Sequence, residues 1–117
     1  MANDVLFLGW NRPVPGREHE ASELFMQSMH YYESQKKAGN LTSFDVVVLD
    51  PHGGELNGFI LLRSPRAKLD AIRASAEFDA IMIKASVYLQ DVGTVSGVTG
   101  DAVAGRIGAY MGALPKR

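Results

Sequence analysis

Two consecutive strand-like runs in this chain are apolar on both faces. The first, within Leu41–Leu49, reads Phe44-Asp45-Val46-Val47-Val48-Leu49; the second, Leu56–Arg63, carries Phe59-Ile60-Leu61-Leu62. β-Branched and aromatic residues of this kind favour the pleated conformation. Asp50-Pro51-His52-Gly53-Gly54 between them is a turn cluster, so the runs close a β-hairpin. If Asp50 and Glu55 close it, Asp45 faces Ile60. One face then presents Val47, Leu49, Ile60 and Leu62; the other presents Phe44, Val46, Val48, Phe59 and Leu61. An antiparallel sheet with one wet face alternates apolar and polar residues. This one does not, so both of its faces need a cover.

The remaining elements supply one cover only. Val5–Trp10 is a short apolar run, a strand buried on both faces that ends at Pro13, Pro15 and Gly16. Arg17–Ala38 is helical, with Ala21, Leu24, Phe25, Ser28, Met29 and Tyr32 on one stripe and Gly39 as its stop. Ser64 and Pro65 open a second helix, to about Ala74. Ser75 caps a third, with Glu77 in its first turn, to about Ala85. Val87–Val98 is a fourth strand with Gly93 and Gly97 as bulges. Asp101 caps a last helix striped by Val103, Ile107, Tyr110, Met111 and Leu114. The order β-α-β-β-α-β plus a C-terminal helix predicts an α+β, ferredoxin-like fold with a four-stranded antiparallel sheet. Crossovers of one hand put the helices on one face. A second copy of the same sheet, packed face to face in a homodimer, is the simplest cover for the other.

Length and composition fit one soluble domain, 1–100, with a C-terminal helical extension, 101–117. There are 117 residues, 46% apolar and 21% charged. The net charge of −1 argues against a nucleic-acid partner held by charge and against a polybasic membrane anchor. No apolar run approaches the ~20 residues of a membrane span, and Val5–Leu8 lacks the flank and length of a signal-peptide core. A cytoplasmic protein is the expectation. With no cysteine, disulfides, thiolate catalysis and Cys-ligated metals are excluded.

Two stretches resemble the dimeric α/β-barrel superfamily. Val14-Pro15-Gly16-Arg17-Glu18 looks like its "v-P-G-x-e" entry into the first helix. Ser75-Ala76-Glu77-Phe78 looks like its short "S-P-E-F" helix start, with alanine replacing proline. The resemblance covers about residues 4–98 and implies two ferredoxin-like sheets packed face to face. The superfamily includes cofactor-independent monooxygenases, haem-degrading enzymes, isomerases and members without known chemistry, so fold alone does not choose among them.

No metal or cofactor is expected. His19 and His30 share a helix stripe with Glu23 and Met26, opposite the apolar one, but stand roughly 16 Å apart along the axis. They read as a solvated face. Haem-binding relatives usually take the axial histidine from the second helical region, and residues 65–86 contain none; Met82 reads as a core residue. Gly53-Gly54 matches neither a Walker loop nor a dinucleotide fingerprint. Gly58-Phe59 lacks the further aromatics and basic surface of an RNA-binding sheet.

The candidate site comes from topology. Strands one and two run one way and strands three and four run back. The end of strand one, the 50–55 turn and the start of strand four then meet, gathering Trp10, Asn11, Arg12, Asp50, His52, Glu55 and Tyr88. Of these, Trp10, Asn11, Arg12, His52 and Tyr88 are the candidate ligand-binding residues. Arg12 could pair an anionic or enolate oxygen, Asn11 donate to a carbonyl, and Trp10 or Tyr88 stack on a ring. Two readings stay open. One is a small-molecule enzyme, a cofactor-independent oxygenase or isomerase acting on an aromatic or apolar carbonyl compound. The other is a non-catalytic ligand-binding or assembly module. The C-terminal helix carries Gly105, Gly108 and Gly112, each costing ~1 kcal/mol against alanine, so it must dock, over the barrel end or on the partner chain.

Overall fold

A computed structural model describes residues 3–115; Met1, Ala2, Lys116 and Arg117, the outermost residues of the two expected segments, lie outside the described residues. The elements are β1 (Asp4–Trp10), α1 (Glu18–Lys37), β2 (Ser43–Val48), β3 (Gly58–Arg63), α2 (Arg66–Arg73), α3 (Ala76–Tyr88), β4 (Gly93–Val98) and α4 (Ala102–Ala113). The strands form one antiparallel sheet in the order β2-β3-β1-β4, the expected ferredoxin-like arrangement. The ends of α1 and the start of α3 have local reasons. Glu18 and Glu20 lie in the first turn of α1 and Lys36 and Lys37 in its last, matching the dipole. Gly39 follows in the left-handed conformation, φ +83°. Ser75 accepts from the Phe78 amide at 3.2 Å and so caps α3. Ser75→Ala should cost about 1 kcal/mol, measured by urea unfolding.

The helices cover one sheet face. Leu6 and Leu8 of β1, Phe44 and Val46 of β2, and Ile60 and Leu62 of β3 point to that side and pack with Tyr32, Leu69, Ile72 and Phe78. The uncovered face carries Val5 and Phe7, Asp45 and Val47, Phe59, Leu61 and Arg63, and Val95. Phe7 stacks on Phe59 at 5.2 Å between ring centroids. Arg63 pairs with Asp45 at 2.7 Å. This second face is apolar at its centre, as the sequence requires.

The register corrects the expected one by a single residue. Asp45 stands opposite Leu61 and Val46 opposite Ile60, so Val46 shares the helix side with Ile60, and Val47 joins Phe59 and Leu61 on the open side. A shift of one residue exchanges the faces of a whole strand. The cause lies in the hairpin loop. The Leu49 amide donates to the Asn57 carbonyl at 3.0 Å, and residues 50–56 fold as a unit around His52. β3 therefore starts at Gly58 rather than Leu56.

Other boundaries differ for local reasons. Ser64 does not cap α2; its hydroxyl donates to the Asn40 carbonyl at 2.8 Å, and Pro65 occupies the cap position. The α3 helix continues to Tyr88, anchored by buried Ile81 and Ala85, so the fourth strand starts at Gly93 and not Val87. Gly93 and Gly97 sit in a continuous ladder opposite Gly9 and Val5, without bulges. Asp101 precedes α4 without making a side-chain cap. No helix among the described residues is long and apolar enough to cross a membrane.

Candidate functional site

A cavity of about 180 Å³ lies between the helix-covered sheet face and helices α1 and α3. The sheet contributes Leu8, Trp10 and Ile60 to its wall. Helix α1 contributes Leu24, Phe25, Ser28 and Tyr32, and α3 contributes Ile81, Met82 and Ala85. The space arises from small residues on otherwise large apolar stripes. Ala21 and Ser28 lie on the inner face of α1 and Ala85 on that of α3. An enclosed cavity of about 150 Å³ lined by Leu, Ile and Phe is known to take up benzene, so this half-open space is of a size for one aromatic ring.

The wall is aromatic on two sides. Trp10 and Phe25 meet edge to face at 6.5 Å, and the Tyr32 ring lies 5.8 Å from Phe44 and 5.5 Å from Tyr31. Trp10 keeps its place because residue 58 is glycine; a Cβ there would come within 2.5 Å of the indole ring.

Tyr32 is fully buried, with 0% exposure, and its hydroxyl has no hydrogen-bond partner. Leaving such a group unpaired costs about 1–3 kcal/mol. Burial, with a smaller contribution from neighbouring Tyr31, pushes the phenol above its ordinary ionisation range. At any working pH it is therefore a neutral O–H donor without an acceptor. Ser28, the other buried hydroxyl of the wall, is already spent on the Leu24 carbonyl at 2.8 Å. The wall contains no Asp, Glu, His, Lys or Arg.

Trp10 is the one candidate from the sequence that lines this cavity. Asn11 lies just beyond it, buried in a polar cluster. Its amide nitrogen donates to Asp91 at 2.9 Å, and its oxygen accepts from Asn57 and from the Arg12 Nε at 3.3 Å. The backbone of Asn57 donates to the Trp10 carbonyl at 2.8 Å, and that of Asn11 to Gln90 at 2.9 Å. The end of β1, the hairpin loop and the approach to β4 do meet, and Asn11 ties them together. Asp91 accepts a positive φ of 55° there. Arg12 is exposed and outside the cavity wall. His52 is exposed, and both its ring nitrogens serve its own loop. Nδ1 accepts from the Gly54 amide at 3.1 Å, so Nε2 carries the proton and donates to the Leu56 carbonyl at 2.7 Å. Asp50 and Glu55 are exposed. Tyr88, placed on α3 rather than on a strand, lines a shallow outer depression with Glu20, Glu23 and Lys84. Sequence reasoning put Tyr32 on the α1 core stripe but missed its place in the cavity wall. The available signal was a hydroxyl on a stripe that also carries Ala21 and Ser28.

His19 contacts Glu23 on the outer face of α1, and His30 is exposed. Among the described residues no three His, Asp or Glu side chains converge as a metal site would need.

No family model matches the chain, and no curated protein matches it. Solved structures do. A dimeric protein of unknown function with a ferredoxin-like fold from Bacteroides fragilis NCTC 9343 is 12% identical, with a TM-score of 0.56 over 82% of this chain and 96% of that one. A dimeric ferredoxin-like protein of unknown function from Thermobifida fusca is 10% identical, with a TM-score of 0.54 over 85% and 93%. SnoaB, a cofactor-independent oxygenase from Streptomyces nogalater, is 10% identical, with a TM-score of 0.52 over 86% and 96%. At these identities the likeness establishes the ferredoxin-like fold.

Proposed function

We propose that this protein is a homodimer that binds a small, neutral aromatic compound carrying one hydrogen-bond acceptor, such as a carbonyl oxygen, in the cavity beneath Trp10. The unpartnered hydroxyl of Tyr32, a residue whose side chain lines a largely apolar, aromatic wall, carries this reading. A mostly apolar pocket fixes the orientation of such a ligand through a small number of polar groups, a part the Tyr32 hydroxyl plays by turning toward the ligand. A carboxylate would find no counter-charge in the wall, so the compound is neutral at the buried end. The apolar open sheet face and the dimeric state of similar folds support the homodimer.

Trp10 is the sole tryptophan and stands in the wall, so its fluorescence reports occupancy directly. Acetophenone is expected to quench it saturably, whereas linear collisional quenching alone would refute binding in this cavity.

A second reading is oxygenation of such a compound without a cofactor, favoured by the likeness to SnoaB. The wall has no charged side chain to serve as a base, so the compound's own ionisation would have to start the reaction. A ring methylene and dioxygen would give a ring carbonyl and water, the electrons coming from the substrate. Dioxygen uptake with a compound carrying an acidic ring methylene distinguishes this from binding alone.

A further inference from the structure

Trp10 and Gly58 stand opposite each other across β1 and β3, both on the helix-covered face of the sheet, and Gly58 is buried. Three indole atoms, Cζ2, Cε2 and Nε1, lie 2.5, 2.7 and 3.0 Å from the place a Cβ on residue 58 would take. The ring therefore rests directly on the glycine backbone. Carbon atoms in ordinary contact stand about 3.5–4.0 Å apart, so a methyl group on residue 58 would force ring or strand to move by about 1 Å.

The strand is the stiffer of the two. Gly58 belongs to a central strand and is paired on both sides, with Trp10 of β1 and with Val48 of β2. Just before it, Asn57 donates its amide to the Trp10 carbonyl at 2.8 Å and accepts from the Leu49 amide at 3.0 Å. Gly58 is not among the glycines with positive φ, so alanine fits its backbone. The indole has to yield instead. Lifted off the sheet, it moves towards α1, into the space that Leu24, Phe25 and Ser28 bound on the other side. That space is of a size for one ring, so a wall displaced by about 1 Å takes up room a ligand needs.

We propose that Trp10, seated on Gly58, sets the ring selectivity of this cavity: the indole leaves room for one aromatic ring and excludes a fused second one. This rests on ligand binding in the cavity as proposed above. Trp10 is the specificity-determining contact, and Gly58 is a positioning residue that acts through it.

Isothermal titration of acetophenone and of its two-ring counterpart, 2-acetonaphthone, tests this in the full-length chain. Wild type should prefer acetophenone. Gly58→Ala should weaken acetophenone about tenfold or more, the effect of overpacking a site of this size. Added to Trp10→Phe, whose smaller ring leaves space for the methyl group, the same Gly58→Ala change should alter acetophenone by less than about twofold. Trp10→Phe alone should tighten 2-acetonaphthone about tenfold relative to acetophenone, a comparison that stands even where Gly58→Ala does not fold. Equal losses from Gly58→Ala with and without the indole would overturn the proposal, as would equal effects of Trp10→Phe on the two compounds. In either case acetophenone binding to wild type would leave the cavity's function standing. No binding of acetophenone to wild type would overturn both.

Discussion

Val47→Glu is expected to convert the proposed dimer into folded monomers. Val47 lies on the open sheet face, opposite Phe59 and beside the Phe7–Phe59 stack. In a face-to-face dimer it is covered by the partner's sheet. A glutamate there would be buried without a counter-charge, because Arg63, the nearby cation of that face, already pairs with Asp45. Breaking or omitting one partner of a buried charge pair costs about 3–5 kcal/mol. Symmetry places the substitution on both sides of one interface, so dissociation should rise by at least about a thousandfold. The isolated chain leaves Val47 partly exposed, so helix content by circular dichroism should persist in the monomer. Sedimentation velocity at micromolar concentration decides the matter. An unaltered dimer would show that the open face is not the interface.

The open face was legible because its demand is compositional. Whichever register Phe44–Leu49 and Leu56–Arg63 adopt, apolar residues fall on both sides. Register itself was not legible, because it hangs on a seven-residue loop. The His52 ring, bound to Gly54 and Leu56, decides where β3 begins, and no strand-pairing rule contains that bond. Tyr88 was misplaced for a related reason. Val87, Tyr88 and Leu89 have strand propensity, yet Ala85 packs into the core and carries the helix on to Tyr88. Propensity yields to packing there. The candidate site was half visible. Trp10 could be found from its position at the end of an apolar strand. Asn11 was found as a polar residue near the site, but its amide proved to be occupied in fastening three loops. Tyr32 stayed hidden because a cavity is a property of three elements at once. It depends on Ala21, Ser28 and Ala85 being small at the same level of the core.

Tyr32→Phe should stabilise the empty protein, opposite in sign to most core substitutions. The variant keeps the ring contacts with Tyr31 and Phe44 and removes only the unpaired hydroxyl. The gain is the relieved desolvation, about 1–3 kcal/mol. In a domain of this size each kcal/mol corresponds to several degrees in Tm, roughly 4–8 °C at the lower end of the length range. The pH dependence follows from the raised phenol pKa. An unfolded tyrosine ionises near pH 10, whereas the buried phenol resists ionisation, so its preference for the neutral form favours folding fully below about pH 10. That contribution is lost as pH rises past this value towards the folded-state pKa, and Tyr32→Phe should lack this loss. A destabilised variant would mean that the hydroxyl has an acceptor in the native protein.

The hydroxyl that costs stability in the empty protein should be repaid when a ligand supplies an acceptor, by about 0.5–1.5 kcal/mol. Acetophenone and α-methylstyrene have nearly the same shape and differ in offering a carbonyl oxygen or a methylene. Isothermal titration of both into wild type and Tyr32→Phe isolates that bond from the apolar burial common to all four combinations. The account predicts that Tyr32→Phe weakens acetophenone roughly 2- to 10-fold relative to α-methylstyrene, while both compounds still bind. Equal effects of the substitution on the two compounds, or no binding of either to the wild-type dimer, would contradict a cavity built to hold a neutral oxygen on Tyr32.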